Sequence, residues 1–144
     1  MENIHHHIVI ESTPEKLFQA ITSSEGLSSW WTKAEATQQV GENLSFFFGP
    51  QCDHKMEMHL ISLEANRKVV WQCVEGPWAD MGHFSFVIKE DARGAALSFT
   101  HEGWPEMGAF FGHCNCKWGL FLGLSLKSYL ETGKGVPHPN EQNI

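Results

Sequence analysis

The sequence predicts an α+β domain in which a curved antiparallel sheet closes around one long C-terminal helix. Three observations carry that expectation. Apolar residues recur with period two from Ala34 to about His101, apolar residues recur at helical spacing from Met107 to Glu131, and two short helical segments precede the sheet run. A sheet with one apolar face must bury it, and the last helix is the only element large enough to cover it.

Residues 3–11 open the chain as a strand, with Ile4, His6, Ile8 and Ile10 on one face and His5, His7, Val9 and Glu11 on the other. Ser12-Thr13-Pro14-Glu15 then supplies a capping hydroxyl, a proline for the first turn and an acid behind it. Leu17, Phe18 and Ile21 form the stripe of a first short helix, Ser23-Ser24-Glu25-Gly26 breaks it, and Leu27 to Trp31 form a second. About six strands follow, separated by the turn segments Gly49-Pro50, Ala65-Asn66-Arg67, Gly76-Pro77 and Asp91-Ala92-Arg93-Gly94. Short turns between sequential strands give an antiparallel meander. In the long helix Phe110, Phe111, Cys114, Trp118, Phe121, Leu122, Leu126 and Tyr129 face inward, and Asn115, Lys117, Lys127 and Glu131 form the polar side. Gly133 is the expected C-cap. The expected organisation is one domain over residues 1–135 and an exposed tail over 136–144.

Composition narrows the function. A formal charge of −7, with no basic run, disfavours nucleic acid and anionic membrane surfaces, which are bound through clustered cations. No stretch approaches the ~18 apolar residues of a membrane span, and the N-terminus lacks a signal-peptide pattern, so membrane insertion is not expected and the cytoplasm is the expected location. The cysteines 52, 73, 114 and 116 read as reduced thiols. Six Trp and ten Phe beside one Tyr suggest a cavity to line as well as a core to fill.

The order of elements and several local segments resemble the activator-of-heat-shock-protein-90-ATPase-like branch of the START-like superfamily, also called SRPBCC or polyketide-cyclase-like proteins. The matching pieces are the segment Ile8 to Phe18, Leu27-Ser28-Ser29-Trp30-Trp31, Gly41 to Phe46, Leu97 to Gly103 and Trp118 to Gly135. The resemblance implies a helix-grip fold with a pocket walled by the C-terminal helix. It carries no catalytic signature, and the fold hosts lipid carriers, receptors, cyclases and co-chaperone modules alike.

Strand alternation and helix spacing nominate a pocket wall of Phe46, Phe48, Met56, Met58, Trp71, Phe84, Phe86, Phe99 and His101 from the sheet, with Cys114, Trp118 and Phe121 from the helix. The same residues equally satisfy a solid core. His101 has two readings: a buried imidazole bonded to a backbone carbonyl that fixes the crossover into the helix, or a group that orients a ligand or exchanges protons with it. Cys114 and Cys116 lie about 200° apart on a helix and do not chelate one ion. A site joining His113 and Cys116 to Cys52 and His54 lacks supporting spacing, so neither metal nor cofactor is expected. Trp78 and Trp104, each beside a Gly-Pro or Trp-Pro turn, mark two loops as a pocket mouth with exposed rings or with hydrophobic plugs. No Ser or Cys stands in a nucleophile motif. The expected function is non-enzymatic binding of a small apolar, aromatic or amphipathic ligand. A chaperone-ATPase-modulating module and a cyclase or hydrolase using His101 rank behind it.

Overall fold

The computed structural model describes residues 1–144. Strand β1 (Glu2–Ile10) leads into helices α1 (Pro14–Thr22) and α2 (Ser24–Trp30). Strands β2 (Ala34–Glu35), β3 (Asn43–Phe48), β4 (His54–Glu64), β5 (Lys68–Glu75), β6 (His83–Asp91) and β7 (Gly94–Trp104) follow. The chain then forms a helical rod made of α3 (Ala109–Leu120), a wider π-helical stretch (Phe121–Leu126) and α4 (Lys127–Thr132). The strands make one seven-stranded sheet in the order β1-β7-β6-β5-β4-β3-β2, antiparallel throughout. Register shifts on β4, between Glu57 and Met58 and between Leu60 and Ser62, mark irregularities of the kind that bend and twist a strand locally. This is the helix-grip architecture expected from the sequence.

Local chemistry sets the element ends. Thr13 accepts the Lys16 amide N–H at 3.1 Å and caps α1. Gly133, in the left-handed region at φ 88°, closes α4 with its N–H on the Tyr129 carbonyl. The expected break at Ser23–Gly26 is shorter than the sequence suggests. Ser23 both ends α1 and caps α2, accepting the Gly26 amide at 3.0 Å, so residues 24–26 are helical. Gly26 is required there for space, since a Cβ would stand 2.6 Å from the Ala20 Cα.

Period two delivers the core. Phe46, Met58, Trp71, Phe84, Phe86 and Phe99 are fully buried on the concave face, against Trp118, Phe121, Leu122 and Leu126 of the rod. The π-helical stretch brings Ser125 into this interior, where its hydroxyl donates to the Trp30 carbonyl at 2.7 Å and accepts the Val136 N–H at 2.8 Å. Those two bonds turn the chain back after α4. Most of the tail over 136–144 is exposed, but His138 holds it to the domain: its N–H bonds the Trp31 carbonyl at 2.6 Å, and its ring packs 5.5 Å from that of Phe48. No helix is long and apolar enough to cross a membrane.

Candidate functional site: an apolar chamber under the C-terminal segment

The interior between sheet and rod divides into a filled part and an open part. Trp118 centres the boundary, with ring centroids 4.5 Å from Phe99 and 4.9 Å from Trp31. On one side of it Trp71, Phe86 and Phe99, all fully buried, pack tilted against one another at 4.7 and 5.0 Å. On the other a chamber of about 480 Å³ opens toward one end of the molecule. That volume lies in the usual range for small-molecule sites, roughly 300–1,000 Å³.

Five regions build the chamber. The β3–β4 hairpin contributes Phe48, His54, Lys55 and Met56, and the β5–β6 loop contributes Gly76, Pro77 and Trp78. The start of the rod presents Phe110, His113, Cys114, Lys117, Trp118 and Phe121, one face of a helix at spacings of three and four. Trp31, just past α2, forms part of the floor, and His138, Glu141, Asn143 and Ile144 of the C-terminal segment form the remaining wall. Of the residues nominated from sequence, Phe48, Met56, Cys114, Trp118 and Phe121 line this chamber. Phe46, Met58, Trp71, Phe84, Phe86, Phe99 and His101 lie in the packed layer instead. Alternation assigned their face correctly, but depth along the strand decides whether an inward ring meets a void or another ring.

His101 is the clearest case. Its ring is wholly buried, stacked on Phe84 at a centroid distance of 3.6 Å. Its polar partner is an indole and not a carbonyl: the Trp104 Nε1–H donates to His101 Nδ1 at 3.1 Å. Because that N–H can only donate, Nδ1 is an acceptor and the ring is neutral with its proton on Nε2. Nε2 finds no partner, and burial pushes the pKa down to about 3. The bond thus links two residues of β7, fixing the end of the strand before the rod, and His101 does not reach the chamber wall. Trp104 is buried with it, so the mouth expected at Gly103-Trp104-Pro105 is closed, while Trp78 is a buried chamber wall.

The lysines of the chamber wall are paired. Lys55 pairs with Glu57 at 3.2 Å, and Lys117 pairs with Glu141 at 3.4 Å. Both ring nitrogens of His138 face acceptors, Nδ1 the Glu141 carboxylate at 2.9 Å and Nε2 the Gly49 carbonyl at 3.2 Å. Burial pushes the Cys114 thiol up, so it is a protonated, inert wall group. Cys116 is exposed, away from Cys114, and no three His, Cys, Asp or Glu side chains converge as a metal set would. Trp31, Lys117, His138 and Glu141 were not nominated from sequence. The His138–Glu141 spacing of three was the one local signal available for the last two.

Comparison with known proteins agrees with this architecture. The solution structure of the Aha1 dimer from Colwellia psychrerythraea shares 36% identity with the chain at a TM-score of 0.83, covering 94% of this chain and all of that one. A crystal structure of a Staphylococcus saprophyticus protein, 16% identical, superposes at 0.79 over 94% of this chain and 96% of that one. The AHSA1-like protein of Aeromonas hydrophila, 14% identical, superposes at 0.72 over 92% of this chain and 94% of that one. The last two are likenesses of fold. No curated protein matches the sequence. The family model described as activator of Hsp90 ATPase homolog 1-like protein matches residues 11–131, and the chain belongs to that family.

Proposed function

We propose that the protein binds a small apolar or amphipathic molecule in this chamber without transforming it. The observation that supports the reading is the chamber itself: about 480 Å³ walled by Trp31, Phe48, Met56, Trp78, Trp118 and Phe121, with its two lysines held in ion pairs. Apolar walls with few convergent polar groups favour burial of a ligand body by the hydrophobic effect. Met56 adds an adaptable wall that tolerates ligands of different shape. Binding is favoured over turnover because the one deeply buried imidazole, His101, is held neutral behind Phe84 and engaged by Trp104. Four unpaired thiols suit a reducing compartment, so the cytoplasm is the proposed location.

The test is titration of delipidated protein with N-phenyl-1-naphthylamine, a neutral apolar fluorophore, alongside thermal melts. Enhanced probe fluorescence and a raised Tm are expected, and Phe48→Glu should remove both while the circular dichroism spectrum is retained. Phe48 is half-buried at the chamber wall, so a carboxylate there can reach solvent. Absence of binding to the wild-type protein would sink the proposal.

A second reading has a specific support, the 36% identity to the Colwellia Aha1. In it the protein associates with a chaperone ATPase. Co-purification of the chain with that chaperone, and a change in ATP turnover, would favour this reading over ligand binding alone.

A further inference from the structure

On the reading that the chamber binds a small amphipathic molecule, we infer that its ligands are amphipathic monoanions and that the Glu141 carboxylate holds their head-group position. The C-terminal segment is then a built-in competitor that such a ligand displaces. Charge on the chamber wall is the first support. The protein is acidic overall, yet the chamber wall carries two lysines and three histidines against a single acidic side chain, Glu141. That carboxylate is almost wholly buried, its side chain 7% exposed, and it lies between Lys117 Nζ at 3.4 Å and His138 Nδ1 at 2.9 Å. An anion in that position therefore finds two donors already oriented, and charge-assisted bonds of this kind are among the stronger polar contacts.

The way the segment is held is the second support. Up to His138 it is fixed by backbone bonds, Val136 N–H to the Ser125 hydroxyl and His138 N–H to the Trp31 carbonyl. Beyond His138 its hydrogen bonds to the rest of the domain run through one group, the Glu141 carboxylate on Lys117. The Asn140 N–H bonds only Pro137 within the segment. A ligand whose apolar body lies on Trp118 and Phe48, and whose carboxylate reaches Lys117, exchanges one ion pair for an equivalent one. Release of residues 139–144 then offsets part of the ordering cost of binding. An uncharged ligand of the same chain length gains no such exchange and leaves Glu141 in place.

The experiment compares dodecanoate with dodecanol as competitors of N-phenyl-1-naphthylamine, in the wild type, Glu141→Gln and Lys117→Met, each first checked by thermal melt. Wild type should favour dodecanoate. Glu141→Gln should tighten dodecanoate about tenfold and dodecanol much less, while Lys117→Met should weaken dodecanoate about tenfold and spare dodecanol. Lys117→Gln repeats the cation test with a polar side chain should the methionine variant melt early. Probe binding with the same dodecanoate-to-dodecanol ratio in all proteins would overturn this inference and leave the ligand-binding proposal standing. Failure of the probe to bind any of them would overturn both.

Discussion

Replacing His101 by glutamine separates a structural imidazole from a chemical one, and pH gives the separation a magnitude. In the native protein burial holds the His101 pKa at about 3, against 6.5 for an unperturbed ring. Between those values the unfolded chain binds a proton that the folded chain refuses, so stability rises with pH. The contribution is complete above pH 6.5 and is lost as pH falls below it. One pH unit of full slope is about 1.36 kcal/mol, so lowering pH from 8 to 5 costs the wild type about 2 kcal/mol through this residue. His6, whose pKa burial also lowers, contributes to both proteins and drops out of the difference. Glutamine keeps an acceptor for the Trp104 N–H but does not titrate. Urea denaturation followed by circular dichroism should therefore show the stability gap between wild type and His101→Gln shrinking by about 2 kcal/mol from pH 8 to pH 5. A gap that stays constant with pH would refute the burial assignment and return His101 to the list of groups in contact with solvent or ligand.

Other consequences follow from packing. Phe99→Ala should destabilise by about 3–5 kcal/mol in the same assay, because the ring is fully buried between Phe86 and Trp118. Gly26→Ala should cost about 1–3 kcal/mol by thermal or urea melts, since the added methyl meets the α1 backbone at 2.6 Å from the Ala20 Cα. Thr13→Ala should cost about 1 kcal/mol by removing the α1 cap. Alkylation with iodoacetamide at pH 8, read by peptide mass mapping, should label Cys116 rapidly and spare Cys73 and Cys114, which are buried and whose thiol pKa values burial raises.

The sequence carries local information well and depth poorly. Period-two alternation located the strands and assigned Phe46, Met58, Trp71, Phe84, Phe86 and Phe99 to the concave face, and Thr13 and Gly133 marked helix ends at the observed positions. Alternation is blind to what an inward side chain meets. Met56 and Met58 share a face of β4, yet the chamber reaches only the first. The π-helical stretch left no pattern because its residues are as apolar as those of an α-helix, and the tail left none because a few long-range bonds from Ser125, Trp31 and Lys117 hold it. His101 was legible as a buried polar group; its partner, three residues away at the end of the same strand, became evident only from the fold.

The two methionines of β4 provide the most direct test of where a ligand sits. With 13C-methyl-labelled methionine, titration of the protein with N-phenyl-1-naphthylamine should move the Met56 methyl resonance strongly, because it lines the chamber, and leave Met58, sealed in the ring core, nearly still. Equal movement of both, or movement of Met58 alone, would contradict the placement of the binding site in the outer chamber.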